Sequence, residues 1–289
     1  MTKRKDILKI FVIILSVLIL PITVYADLGP KDCLTVYVVN PPSDNYYLDL
    51  LTQNSSPYNN FHEEGERESL NTQMLDLLYS YKKDGWMPAL TEGTGLPMWG
   101  DLIGELDGNK MVHKFGYVGL PKTYRIIIVT QSGKVMVSDT YTRKALQSSI
   151  TFDYKTGEAV VPNIFVSYLI QFITTCIPTL IIEAPLLLLF GFKFKENYKI
   201  FFSVNIYTQL FLTVTLGTTL IRSGTLSAYF TQFPVEIIIL IAETAIYSKF
   251  LKGHSQKRRC AYGIIANLSS WVIGFFLLSY QYKLLVSLM

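Results

Sequence analysis

The positions of the charged residues relative to the apolar runs constrain this chain most. Lys3, Arg4, Lys5 and Lys9 precede a first apolar run, residues 27–158 are mostly polar, and apolar runs fill the rest. Half of the residues are hydrophobic and 17% are charged, below the roughly 25% charged residues of a soluble domain. The pattern predicts a multi-domain membrane protein, in which a polar domain precedes a helical membrane domain.

The net charge differs between these two parts. Residues 27–158 carry 12 Lys and Arg against 17 Asp and Glu, a net charge of −5, whereas residues 159–289 carry 10 against 4, a net charge of +6. Positive charge between apolar runs is typical of cytoplasmic anchoring, so the lipid bilayer is the expected partner and nucleic acid is not.

The N-terminus has the three parts of a secretory signal peptide. An apolar run of about 11 residues follows the basic start, Pro21 ends it, and Val24-Tyr25-Ala26 precedes the expected cleavage site at Asp27. The run is short for a membrane span, which needs about 20 residues. We predict a signal peptide over residues 1–26, with an uncleaved N-terminal anchor as the alternative.

Residues 27–158 read as a small exported domain, α+β or sandwich-like, long enough to form its own core. Periodicity and turn residues place its elements. The expected strands are 34–40, 46–51, 123–130, 135–138, 149–154 and 158–161, and the expected helices are 69–83 and 140–147.

No pattern of catalytic residues is found in this domain. The acidic cluster from His62 to Glu68 lacks the second His of a zinc motif, so a solvated loop is favoured over a metal site. Cys33, Cys176 and Cys260 are far apart in the sequence and predict no disulfide. We therefore expect no catalytic residue, cofactor or metal, and the sequence does not favour an enzyme.

Residues 159–289 predict an all-α four-helix transmembrane domain. The expected spans are 160–192, 200–221, 233–250 and 261–287. Lys193, Lys195 and Lys199 fill the first gap and five Lys or Arg lie in 249–259, whereas the gap 222–232 holds only Arg222. The positive-inside rule puts the first and third gaps in the cytoplasm. The expected location is therefore the plasma membrane, with residues 27–158 and the C-terminus outside.

Polar residues inside these spans are the candidate site. Counted from the cytoplasmic ends of the spans, five of them share a layer roughly 8–14 Å deep at 1.5 Å per residue. They are Glu183, Asn205, Gln209, Glu243 and Asn267. Glu236 is expected near the outer face, paired with Arg222. A carboxylate facing lipid costs several kcal/mol, so each acid should face another helix.

The layer also suggests an internal repeat. Asn205 follows Glu183 by 22 residues and Asn267 follows Glu243 by 24, each pair spanning a basic turn. Two helical hairpins of like orientation are typical of duplication, and chance similarity between apolar helices is the rival interpretation.

Several of these segments carry a resemblance to a known family. The mature start ADLGPK at 26–31, the strand to Asn40 and YYLDLL at 46–51 resemble an uncharacterised membrane-protein family of clostridia-type Firmicutes. The similarity extends to Glu183 with its Leu-rich run, to Asn205 with Gln209, and to the helix of Glu236 and Glu243. The resemblance implies a bacterial protein with this domain layout, and no activity.

Three functions fit the sequence. The first is an exported binding or interaction domain that a four-helix membrane domain anchors, with a protein partner or a second copy of the chain. The second is a small transporter or channel subunit that uses the Glu/Asn layer. The third, a membrane enzyme, lacks a nucleophile–base or metal-ligand pattern.

Overall fold

The structure is a computed structural model that describes residues 29–58, 60 and 68–289. The expected signal peptide (1–26) and most of the acidic cluster (62–67) lie outside the described residues. The described chain has an N-terminal β domain followed by long helices.

Two β-sheets form the N-terminal domain. The first has the order β12-β11-β1-β7-β5, with β6 also paired to β7, and the second has the order β10-β8-β2-β4, with β9 also paired to β8. The strands are β1 (Cys33–Val39), β2 (Tyr46–Thr52), β3 (Ser55–Tyr58), β4 (Met87–Pro88), β5 (Trp99–Gly100), β6 (Glu105–Asp107), β7 (Lys110–Gly116), β8 (Thr123–Thr130), β9 (Val135–Val137), β10 (Tyr141–Thr142), β11 (Gln147–Asp153) and β12 (Ala159–Val160). Two short helices, α1 (Thr72–Ser80) and α2 (Ala89–Glu92), complete the domain.

The domain core lies between the two sheets. Leu34, Val36 and Val38 of β1 alternate with partly exposed residues and are fully buried, as expected for a strand with one face on a core. Every residue of β2 is buried, because α1 and α2 cover the second face of its sheet. Helix α1 begins at Asn71, whose side chain accepts a hydrogen bond from the Met74 amide.

The domain corrects two expectations. The helix predicted over 140–147 is wrong, because Tyr141 and Thr142 instead pair with β8 as β10. Strand β7 was not expected, since Lys110, His113 and Lys114 interrupt its apolar pattern. It nevertheless pairs antiparallel with β1, which on its other side pairs parallel with β11.

The second part of the chain is helical. Its elements are α3 (Ile164–Leu189), α4 (Phe194–Leu212), one π-helical turn (Thr213–Gly217), α5 (Thr218–Phe250) and α6 (Gln256–Val286). Three continuous segments are long and apolar enough to cross a membrane, namely Ile164–Leu189, Phe194–Phe250 and Gln256–Val286. The chain is therefore a membrane protein.

The expected four separate spans are not matched, because residues 222–232 are helical instead of forming a loop. Within 218–250 only Gly224 departs from helical geometry, with φ 77° and ψ −174°. The chain reverses there, since Asn205 Nδ2 donates to Tyr247 Oη at 3.0 Å and Thr208 Oγ1 to Glu243 Oε1 at 2.6 Å. We call residues 194–223 the ascending arm and residues 225–250 the descending arm.

The other neighbours are antiparallel too. Gln209 of the ascending arm donates to Thr179 of α3 at 3.2 Å. Tyr229 of the descending arm lies 3.0 Å from Ser279 of α6, oxygen to oxygen. Helix α6 returns to α3, where it packs along much of that helix. Helix α3, the ascending arm, the descending arm and α6 thus form a closed up-and-down bundle of four helical segments.

Helix α3 is shorter than the predicted span 160–192. It has 26 residues, about 39 Å at 1.5 Å per residue, which is longer than a hydrocarbon layer of about 30 Å but shorter than the bilayer with its headgroup regions. Pro178 and Pro185 lie inside it without ending it. Its outward side chains are apolar and exposed, including Phe165, Ile181 and Leu189, as expected for a lipid-facing surface.

Two apolar clusters close the two ends of the bundle. The domain-proximal cluster, which includes Leu220, Ile221 and Leu285, lies next to the β domain. The domain-distal cluster, which includes Leu187, Phe201, Tyr247 and Tyr262, lies near the turns 190–193 and 251–255. Polar side chains are buried between them.

The β domain rests on the bundle through backbone contacts. The Leu146 amide donates to the Ile221 carbonyl at 2.9 Å, and the Ser149 amide donates to the Met289 carbonyl at 2.7 Å. Gly224 faces Pro30, whose Cγ would lie 2.5 Å from a Cβ at this position. The reversal between the two arms is therefore in direct contact with the domain.

Candidate functional site

A narrow polar cavity of about 30 Å³ lies inside the bundle, between the two apolar clusters. A cavity of roughly 10–15 Å³ holds one water, so this one has room for about two waters or for a small bare ion. All four helical segments of the bundle contribute to its lining. The polar lining residues are Thr174, Thr175, Thr179, Glu183, Gln209, Gln232, Glu236, Glu243, Asn267, Ser270 and Gln281.

Glu183 on α3 is fully buried. Its Oε1 accepts a hydrogen bond of 2.9 Å from Ser270 Oγ on α6, and Asn205 on the ascending arm lies beside its carboxylate. Its Oε2 has no hydrogen-bond donor. One oxygen of this carboxylate is thus bound by another helix, and the other is not.

Glu243 on the descending arm repeats this arrangement. It is 1% exposed, its Oε1 accepts 2.6 Å from Thr208 Oγ1, and Asn267 lies beside its carboxylate. Its Oε2 likewise has no donor. Each acid therefore takes a hydroxyl from the opposite hairpin and an amide neighbour from its own.

The two halves share a sequence pattern. Thr208 follows Asn205 by three residues, and Ser270 follows Asn267 by three, so each amide and hydroxyl lie on one helix face. The carboxylates are electrostatic neighbours in one cavity. The contacts of the two hairpins are equivalent, as they are in transporters built from repeats of like orientation.

The cavity has more acceptors than donors. Five lining residues carry a fully buried oxygen without a donor, namely Glu183 Oε2, Gln209 Oε1, Gln232 Oε1, Glu243 Oε2 and Asn267 Oδ1. Glu236 adds a third carboxylate to the lining. A buried oxygen without a donor costs about 1–3 kcal/mol, and more when charged. Such a set of oxygens favours a positively charged occupant.

Of the layer predicted from the sequence, Glu183, Gln209, Glu243 and Asn267 all line the cavity. Asn205 is buried just outside the lining, where its amide nitrogen donates to the Phe201 carbonyl and to Tyr247. Because a carbonyl only accepts, this contact fixes which end of the Asn205 amide is nitrogen.

The expected Arg222–Glu236 pair is not among the ion pairs of the described residues. The descending arm begins at residue 225 instead of 233, so Glu236 lies about 18 Å along it from the reversal. Glu236 therefore reaches the cavity. Arg222 lines a surface groove beside the β domain instead, together with Lys122, Arg143 and Lys144.

The hydroxyls that bind the two acids were not predicted from the sequence. Thr208 and Ser270 looked like ordinary residues of apolar helices, but their common spacing from the two Asn residues was a signal. Gln232 was missed because it fell in the expected loop 222–232. Nothing in the sequence around Tyr247 indicated that its hydroxyl accepts a hydrogen bond from Asn205.

Two buried titratable groups lie in the β domain. Asp49 accepts hydrogen bonds from the amides of Leu50, Leu90 and Thr91 and from the Thr91 hydroxyl, and burial raises its pKa to about 6. His113 lies 3.0 Å from the Tyr46 hydroxyl, and burial lowers its pKa to about 4. Both groups bind neighbouring parts of the β domain, and neither lines the cavity that contains Glu183 and Glu243.

No metal cluster of three or more His, Cys, Asp or Glu occurs in the described part of the chain. Any ion in the bundle would therefore rely on amide oxygens in addition to the carboxylates. Comparison with known proteins found no matching family model, no similar curated protein and no similar solved structure.

Proposed function

We propose that the chain is a four-pass membrane protein that acts as a small transporter or channel subunit for cations, protons included. The observation that supports this most is the pair Glu183 and Glu243, buried on different hairpins with one free carboxylate oxygen each on a shared cavity. Intramembrane acids that face a bundle interior are typical of ion and proton pathways. The two apolar clusters would keep the cavity occluded from both sides.

The proposed orientation places the β domain and the reversal at Gly224 outside the cytoplasm. It rests on the distribution of positive charge. Lys193 and Lys195 flank the turn between α3 and the ascending arm, and Lys252 and Lys257 flank the turn before α6. The proposed location is the plasma membrane of a bacterium, with a signal peptide removed from the N-terminus.

A second candidate function is an interaction role for the β domain, anchored by the bundle. It is supported by large apolar side chains that are more than half exposed, namely Leu96, Trp99, Ile103, Leu106 and Val118. Exposed apolar surface of this kind fits a protein partner or a second copy of the chain.

Cation flux into vesicles that contain the purified full chain tests the first proposal. We expect flux of protons or alkali cations in response to a gradient, and its loss in Glu183→Gln and Glu243→Gln. The matched control is Glu196→Gln, which removes an exposed acid at the start of the ascending arm. Equal flux in empty vesicles, or full flux in both cavity variants, would overturn the transport function.

A further inference from the structure

The chemistry of the cavity defines the ion it accepts. Five lining residues carry a fully buried oxygen without a donor, two carboxylates and three amides, Glu236 adds a third carboxylate, and no Cys or His lines it. Oxygen ligands without sulfur or imidazole favour hard cations over transition metals. We propose that the cavity binds one dehydrated hard metal cation, Na⁺, K⁺ or Ca²⁺, between Glu183 and Glu243.

Size argues against a hydrated ion. Mg²⁺ keeps several of its waters, whereas Ca²⁺ takes six to eight oxygen ligands. The cavity has about 30 Å³, which leaves room for no more than about two waters. Mg²⁺ with its waters therefore does not fit, whereas a bare Na⁺, K⁺ or Ca²⁺ does.

The arrangement of the acids places the ion on the junction of the two hairpins. Ser270 and Thr208 each occupy Oε1 of one carboxylate, so both acids are oriented before an ion arrives. Gln209 is oriented as well, because its nitrogen donates to Thr179 and its oxygen remains available. Preorganised ligands of this kind avoid the entropic cost of ordering on binding.

This inference rests on the proposed function for its biological meaning, but binding can be measured without transport. The full chain, purified in detergent, is unfolded thermally in rising NaCl or KCl, with choline chloride at equal ionic strength as the reference. CaCl₂ and MgCl₂ form two further series. We expect Na⁺, K⁺ or Ca²⁺ to raise the Tm saturably, by on the order of 5 °C at saturation, because a ligand stabilises the state that binds it.

The variants decide where the ion binds. Glu183→Gln should abolish the cation-dependent shift, and Gln209→Leu, which keeps both acids, should weaken it at least about tenfold in apparent affinity. Glu196→Gln should leave it unchanged. If Glu183→Gln does not fold, the cation-dependent Tm shift of Gln209→Leu is compared with that of Glu196→Gln.

Three results would overturn the proposal: equal stabilisation by choline, stabilisation by Mg²⁺ alone, or an unchanged shift in the foldable cavity variants. Absent metal-cation binding together with intact proton flux removes the metal-cation site and leaves the transport function standing. Intact metal-cation binding without any flux removes the transport function and leaves the site standing.

Discussion

Ser270 Oγ donates a hydrogen bond of 2.9 Å to Oε1 of Glu183, joining the last helix of the bundle to the first. The equivalent contact, Thr208 to Glu243 at 2.6 Å, joins the two arms in between. The two bonds lie at corresponding positions of two helical hairpins. They leave one oxygen of each acid facing the same cavity.

The first prediction concerns this hydroxyl. Ser270→Ala should lower the free energy of unfolding in detergent by about 1 kcal/mol, as for other polar contacts between membrane helices. Thr208→Val, which keeps the side-chain shape, should have a similar effect. Ser269→Ala is the control, because Ser269 bonds only within its own helix, to the Ile265 carbonyl. An equal loss of stability in the control would mean that the contact with Glu183 contributes nothing specific.

The second prediction concerns the reversal at Gly224. Its φ of 77° with ψ of −174° belongs to a backbone region that only glycine enters readily, and other residues pay about 1–3 kcal/mol there. A Cβ would also meet Pro30 at 2.5 Å. Gly224→Ala should therefore destabilise the chain by more than that range.

Gly253→Ala is the matched variant for the reversal. Gly253 has φ 83° but nothing within 4 Å of its Cβ position. This change should therefore cost only the free energy of holding an alanine at positive φ, on the order of 1–2 kcal/mol. Thermal unfolding of both variants gives the comparison. If Gly224→Ala costs no more than Gly253→Ala, the contact with Pro30 is not a tight one.

The third prediction concerns the pH dependence of the β domain. The pKa of Asp49 is raised from 3.8 to about 6, so the stability it contributes is present below pH 4 and is lost as the pH rises to about 6. The pKa of His113 is lowered from 6.5 to about 4, so its contribution is present above pH 6.5 and is lost as the pH falls. Each amounts to about 3 kcal/mol.

The two contributions oppose each other between pH 4 and pH 6. Asp49→Asn should make the stability rise more steeply with pH than in the unmodified chain, and His113→Gln should make it fall. Unfolding free energies of the full chain across this range measure the slopes, whatever constant loss each variant suffers. Parallel curves for all three proteins would rule out both shifts.

The fourth prediction concerns the orientation in the membrane. A phosphatase reporter fused after Gly224 should be active and one fused after Ser255 inactive, because the Lys and Arg residues gather at 193–199 and 249–259. In intact cells an impermeant thiol reagent should not label Cys260. Active fusions at the second position would reverse the topology.

Most of the layout of the chain could be predicted from its sequence. Strand β8 has the predicted bounds, Thr123–Thr130, because its β-branched run is flanked by clear turn residues. The three long helical segments follow from hydropathy alone. The meeting of Glu183, Gln209, Glu243 and Asn267 at one cavity could be expected from local information, since distance along a helix is a count of residues.

The remainder depended on contacts between distant segments. Residues 222–232 mix polar and apolar side chains, and nothing local shows that they continue two helices up to a single glycine that packs on Pro30. The predicted position of Glu236 near the outer face, paired with Arg222, was wrong for the same reason. The parallel pairing of β1 with β11 joins segments more than 100 residues apart, and no turn signal encodes such a pairing.

The most direct test of the central claim is cross-linking of the first and last helices at the cavity. The chain would have Cys33, Cys176 and Cys260 replaced by Ser and would carry Glu183→Cys with Ser270→Cys, treated in membranes with a short bifunctional thiol reagent. The account predicts efficient intramolecular cross-linking of this pair and of Glu243→Cys with Thr208→Cys, and little for Glu183→Cys with Ser269→Cys. Cross-linking of the Ser269 pair in preference to the Ser270 pair would contradict the convergence of the two acids inside the bundle.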